Sequence, residues 1–183
     1  VFVIPYNKIG KNVLHATKLR IEIDKLMAIL NIDNPISHEL IFVEQDIVEV
    51  DEYSDTIINK KITSTLKFNR GALINCAIKE HSKRYPNVNH HYVIHNINLH
   101  PTPDVYDLYR YFPSKPIHIS NNNHCFKKAN NLSGVLSIDL ATFILINGYP
   151  NHCWGYGNES SILHNRLLQN SYEIIRPTLN GDE

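Results

Sequence analysis

Short apolar runs that close at proline or a polar turn alternate along this chain with longer stretches whose apolar residues return every three or four positions, and this alternation limits the fold more than any other feature. Val1-Phe2-Val3-Ile4-Pro5 has no polar face, the pattern of a strand buried on both sides in a parallel sheet. From Lys11 to Leu30, Val13, Leu14, Leu19, Ile23, Leu26, Met27 and Leu30 keep helical spacing and predict a long amphipathic helix that Asn31 to Pro35 ends. Leu40 to Gln45 predicts a second strand. Asn69 precedes a helix running to about Arg84 and is its expected N-cap, because an asparagine oxygen accepts a free N–H of the first turn. His91 to Ile97, Ile117 to Ser120, Leu132 to Ile138 and Tyr172 to Ile175 read as further strands. Asp139 caps a short helix ending before Gly148, and Glu159 to Gln169 forms the last helix. The order predicts an α/β fold with a mixed, mainly parallel central sheet flanked by helices, and ligands beyond the carboxyl ends of the strands. Residues 46–66, acidic and then rich in Ile, Thr and Lys, are expected to form a peripheral insertion or hairpin.

With 183 residues, 43% hydrophobic and 20% charged, the chain can bury one sizeable core, so one soluble domain over residues 1–183 is expected. Its formal net charge is zero and no basic stripe interrupts it, which argues against nucleic acid or an anionic membrane as main partner. No apolar run approaches the roughly 20 residues of a bilayer span, and no signal-peptide pattern opens the sequence; the compartment stays open. Cys76, Cys125 and Cys153 are odd in number, lack metal-ligand spacing and read as buried or incidental thiols. Asn131-Leu132-Ser133 and Asn158-Glu159-Ser160 match the glycosylation acceptor pattern, a frequent coincidence in an asparagine-rich chain. The abundance of Ile, Asn, Lys and Tyr suits an AT-rich coding genome, such as that of a large DNA virus or a protist.

The densest motif is the tract from Ile146 to Ser161, which holds Ile146-Asn147-Gly148-Tyr149-Pro150-Asn151 and then Trp154-Gly155-Tyr156-Gly157-Asn158-Glu159. Flat aromatic and carboxylate side chains commonly serve carbohydrate recognition, the ring stacking on a sugar face and the carboxylate accepting from a hydroxyl. Ahead of it stand Val3-Ile4-Pro5-Tyr6, Phe68-Asn69-Arg70-Gly71, His95-Asn96-Ile97-Asn98-Leu99 and Gly134-Val135. In this order, over most of the chain, the five pieces resemble the β-1,4-galactosyltransferase family, with its INGFPN and WGWGGEDDD tract and its FNR helix start. The resemblance implies a nucleotide-sugar transferase fold of the GT-A kind. It places Pro5, Tyr6, Phe68, Arg70, Asn96 and Asn98 at a nucleotide-sugar site, the helix amino end at Arg70 also favouring phosphate. It places Trp154, Gly155, Tyr156 and Glu159 at an acceptor site, Ser160 at the general-base position and Asn98 at a metal-ligand position. Family relatives are anchored in the Golgi and face its lumen.

The departures fall on the chemistry. Asn7, Lys8 and Ile9 stand where the family carries diphosphate-holding arginines, and an ammonium does not reproduce a bidentate guanidinium. Asn96 and Asn98 replace the aspartates of Asp-Val-Asp, and neutral amides hold a hard cation poorly. The family's aspartate that takes the acceptor proton is Ser160 here, a hydroxyl too weakly basic for the task, and Glu159 beside it points in another direction on a helix. The family's methionine and histidine metal ligands follow the counterpart of Arg176-Pro177, beyond these residues. Expected, then, is a catalytically degenerate member retained for sugar or nucleotide-sugar binding or for assembly with a protein partner, without a cofactor. The alternative is an active inverting transferase that moves a hexose from a UDP-sugar to a glycan, metal-independent or with Mn2+ in a rearranged site.

Overall fold

The computed structural model describes residues 1–7, 12–31, 36–45, 67–112, 114–122, 130–155 and 158–178. Five strands, β1 (Phe2–Tyr6), β2 (Leu40–Glu44), β3 (His91–His95), β4 (Ile117–His118) and β5 (Val135–Asp139), form one sheet in the order β2-β1-β3-β5-β4. The helices are α1 (Asn12–Leu30), α2 (Arg70–Arg84), α3 (Tyr106–Arg110), α4 (Leu140–Leu145) and α5 (Glu159–Gln169). β1 runs parallel to β2 and β3, while β5 runs antiparallel to β3 and β4. Because β5 is antiparallel to both of its neighbours, four of the five described strands point the same way and β5 alone runs against them, the expected mixed, mainly parallel sheet. A short apolar run announces burial but carries no signal of direction, which depends on the path between strands.

Side chains that alternate along the strands feed two cores. Phe2 and Ile4 of β1 and Val93 of β3 meet Leu19, Ile23, Leu26 and Met27 of α1 on one face. Val3, Tyr92, Ile94, Leu136 and Ile138 meet Ile74 and Ile78 of α2 and Leu163 and Leu167 of α5 on the other. Each such buried side chain contributes about 1.5–3 kcal/mol by leaving water. The two expected caps are present: Asn69 Oδ1 accepts from Ala72 N–H at 3.0 Å and Asp139 Oδ1 from Thr142 N–H at 2.9 Å.

Several expected strands are shorter than their apolar runs, and β3, expected to reach Ile97, ends at His95. β5 begins at Val135 instead of Leu132, because Gly134 turns the backbone at φ +91° and spends its carbonyl on Asn96 N–H at 2.9 Å. The run from Ile117 is a strand for two residues and then becomes a 3-10 turn over Ile119–Asn122. Tyr172 to Ile175 reduces to Ile175 in a parallel bridge to Ile117. The peripheral insertion or hairpin expected over residues 46–66 lies outside the described residues, and α3 adds a short helix between β3 and β4. Among the described residues, no helix is long and apolar enough to cross a membrane.

A buried polar chain ties the β4–β5 edge together. Arg176 Nη1 lies 2.8 Å from His118 Nδ1, and since a guanidinium only donates, Nδ1 is the acceptor. His118 Nε2–H is then the donor to the Ser133 carbonyl at 2.7 Å. Burial holds this imidazole neutral, with its pKa lowered to about 4.

Candidate functional site

Two of the sequence motifs are physically one structure. Gly71, in the first turn of α2, sits so close to the tract around Gly148 that an added Cβ would meet Pro150 O at 2.7 Å. Asn75 Nδ2 donates to the Tyr149 carbonyl at 2.7 Å and to Asn151 Oδ1 at 2.8 Å, while its Oδ1 accepts from Tyr149 N–H at 2.9 Å. Asn69 Nδ2 donates to Asn151 O at 2.7 Å. Asn147 and Gly148 turn with φ of 59° and 51°, and Arg166 from α5 donates to both their carbonyls at 2.6 Å. Gly155 N–H then donates to Phe68 O at 2.8 Å, which fixes the end of the tract beside the start of α2.

This locking builds a cleft of about 430 Å³. Pro5, Tyr6 and Asn7 reach it from the carboxyl end of β1, and Asn96, Ile97 and Asn98 from the carboxyl end of β3. Asn12 comes from the start of α1, Phe68 and Arg70 from the start of α2, and Gly155 and Glu159 from the tract. Eight of the expected site residues, Pro5, Tyr6, Phe68, Arg70, Asn96, Asn98, Gly155 and Glu159, thus share one cavity. Trp154 does not line it and is 56% exposed. Tyr156 lies outside the described residues. Ser160 is 5% exposed and its Oγ lies 2.6 Å from Ser133 Oγ, a hydrogen-bonded pair apart from the cleft lining. Asn12 and Ile97 were not singled out from the sequence; for Asn12 the only signal was its place at the opening of a helix after a strand end.

Among the described lining residues, Arg70 and Glu159 carry formal charge. The Arg70 guanidinium stands 5.6 Å from the centroid of the Tyr149 ring. Burial pushes the Tyr149 hydroxyl pKa up against the opposing pull of Arg70, and Glu159 adds to the rise. Arg70 Nη1, Tyr149 Oη and Glu159 Oε2 are closed off from solvent without a hydrogen bond of normal geometry. Such orphaned groups cost about 1–3 kcal/mol each and call for a partner.

The end of β3 is built from neutral groups. His95 is fully buried, with Nδ1 2.9 Å from the Asn96 carbonyl and Nε2 2.9 Å from Tyr109 Oη. A carbonyl only accepts, so Nδ1 carries the proton and Nε2 accepts from the phenol. Burial lowers its pKa to about 4. Asn96 Oδ1 accepts from Asn98 N–H at 2.9 Å, and Asn98 Oδ1 accepts from His15 Nδ1 at 2.8 Å. Both amide oxygens are therefore engaged within the protein. No group of three or more His, Cys, Asp or Glu that could hold a metal occurs among the described residues. Neutral and already bonded, this donor set does not fit a hard divalent ion, which takes several oxygens with carboxylates among them.

The fold and this cleft at the strand ends define a nucleotide-sugar transferase fold of the GT-A kind. It superimposes on the catalytic domain of Drosophila β-1,4-galactosyltransferase 7 in complex with xylobiose with a TM-score of 0.71 at 20% identity, covering 97% of this chain and 63% of that one. A mutant of the same enzyme in complex with manganese, UDP-Gal and xylobiose gives the same score over 97% and 65%. The family model described as the N-terminal domain of galactosyltransferase matches residues 115–182. Bovine β-1,4-galactosyltransferase 1 is 33% identical over 130 residues, 69% of this chain and 31% of that protein. The human protein of that name is 34% identical over 114 residues, 60% and 28% of the two chains. The chain belongs to the β-1,4-galactosyltransferase family as a divergent member, and it spans about a third of the length of these relatives.

Proposed function

We propose that this chain is a catalytically degenerate galactosyltransferase-like domain that binds sugar or nucleotide-sugar in the cleft of Arg70, Asn98 and Glu159 without transferring it, alone or as part of an assembly with a protein partner. The observation that carries this reading is the state of Ser160. Its hydroxyl is buried against Ser133 at 2.6 Å and is not part of the described cleft lining, whereas the family's inverting chemistry needs a base facing the acceptor. Retention of the cleft supports binding: the elements that shape it, Asn69, Gly71, Asn75 and Arg166, are all in place. The ligands of the Drosophila enzyme, UDP-Gal and xylobiose, are the natural probes. In a screen of UDP-sugars with and without manganese, neither hydrolysis nor transfer is expected, and turnover of any donor overturns the reading.

Glu159 supports the alternative of an active transferase. Its carboxylate lines the cleft and keeps one buried oxygen without a partner. In that case the acceptor hydroxyl attacks the anomeric carbon, the bond to UDP breaks with its electron pair leaving on the phosphate, and Glu159 takes the acceptor proton. Glu159→Gln would then abolish turnover while leaving donor binding in place.

A further inference from the structure

We infer that the cleft holds an uncharged saccharide, without a divalent cation, where a metal-bound diphosphate would otherwise lie. The inference rests on the sugar-binding reading above and narrows it. Its first support is the charge of the described lining. Arg70 and Glu159 cancel, and the remaining polar side chains at the strand and helix ends are the amides of Asn7, Asn12, Asn96 and Asn98, together with the phenol of Tyr6. Among the described residues, a diphosphate brought here would meet one guanidinium and one carboxylate and no group of His, Cys, Asp or Glu that could hold a screening metal.

The second support is the pairing of a donor with an acceptor in the lining. The Arg70 guanidinium can only donate and the Glu159 carboxylate can only accept, and both residues line the cleft. A sugar hydroxyl accepts and donates, so hydroxyls of one saccharide can pair with both groups. A phosphate oxygen satisfies the guanidinium alone and leaves the carboxylate facing a like charge. The side-chain amide nitrogens of Asn96 and Asn98 can donate to the remaining hydroxyls while their oxygens stay engaged within the protein, and the rings of Tyr6 and Phe68 add apolar surface for a sugar face.

The third support is the closure of the strand end. With Asn98 Oδ1 bonded to His15 Nδ1 and Asn96 Oδ1 bonded to the backbone of Asn98, a cation would gain at most two neutral oxygens there, each already accepting a hydrogen bond.

Isothermal titration of the whole chain with xylobiose, lactose and UDP-galactose, each with and without manganese chloride, tests this. Expected is disaccharide binding whose Kd changes less than about twofold with manganese or between about 50 and 500 mM sodium chloride, as befits an uncharged ligand. UDP-galactose should bind no tighter than the disaccharides and gain nothing from the metal. Arg70→Ala and Glu159→Gln should each weaken disaccharide binding about tenfold or more, the loss of about 1.4 kcal/mol, with the melting temperature as control for folding. Tenfold tighter UDP-galactose binding in manganese, or the absence of disaccharide binding at millimolar concentration, overturns the inference. The two proposals fail separately: manganese-dependent nucleotide-sugar binding without turnover sinks only this one, and metal-free turnover of a donor that binds no tighter than the disaccharides sinks only the proposed lack of catalysis.

Discussion

Asn75 on α2 clasps the backbone of Tyr149 from both sides, donating to its carbonyl at 2.7 Å and accepting from its N–H at 2.9 Å. This contact joins two motifs more than 70 residues apart and holds the wall of the cleft against the helix that carries Arg70. Asn75→Ala removes both bonds and leaves two backbone groups to find other partners, so a loss of about 2–4 kcal/mol is expected in urea unfolding. A change below about 0.5 kcal/mol would show that the tract holds its shape without the clasp.

Gly71 is required by space. A methyl group there would meet the Pro150 carbonyl at 2.7 Å, and neither partner is a flexible side-chain end. Gly71→Ala should therefore destabilise by about 1–3 kcal/mol, although alanine is the better helix former. Equal or greater stability of the variant in thermal melts would contradict the close approach of α2 to the tract.

Buried histidines set the acid limit of the fold. Burial lowers the pKa values of His91, His95 and His118 to about 4, from 6.5 in the unfolded chain. The folded state therefore binds fewer protons than the unfolded one between these values. Stability is full above pH 6.5, falls as pH drops and stops falling from this cause below about 4. Each histidine contributes a slope of up to about 1.4 kcal/mol per pH unit, so the three together cost about 4 kcal/mol at pH 5.5. The urea midpoint measured across pH 4–8 should fall steeply below 6.5, and a flat profile would contradict the neutral, buried state of these side chains.

Restoring carboxylates at the end of β3 should restore metal affinity. The chain itself is expected to show no manganese-dependent thermal shift, whereas Asn96→Asp with Asn98→Asp should show one, since a ligand at 100 times its Kd adds about 2.7 kcal/mol. A shift already present without the substitutions would mean that the amides, or groups beyond them, hold the ion.

Where the physics is local, the sequence was legible. The spacing of Leu19, Ile23, Leu26 and Leu30 announced the buried stripe of α1, and the short polar side chains of Asn69 and Asp139 announced their caps. The motifs also pointed to most of the cleft, because residues at strand carboxyl ends and helix amino ends converge in such folds. What escaped depends on distant partners. The direction of β5 is set by its neighbours, the shortening of β4 by a turn after two residues, and the bond from His15 to Asn98 spans 83 positions. Ser160 was legible as a missing base, but its pairing with Ser133, 27 residues earlier, was not.

Ser160 leads to the measurement that bears most directly on the account. Release of UDP from UDP-galactose should be followed with and without manganese, in the presence of a disaccharide acceptor, for the chain and for its Ser160→Asp variant. No release above the uncatalysed background is expected from the unsubstituted chain under any of these conditions. Sustained release by that chain, lost on Glu159→Gln, would contradict this and establish an active transferase with a relocated base.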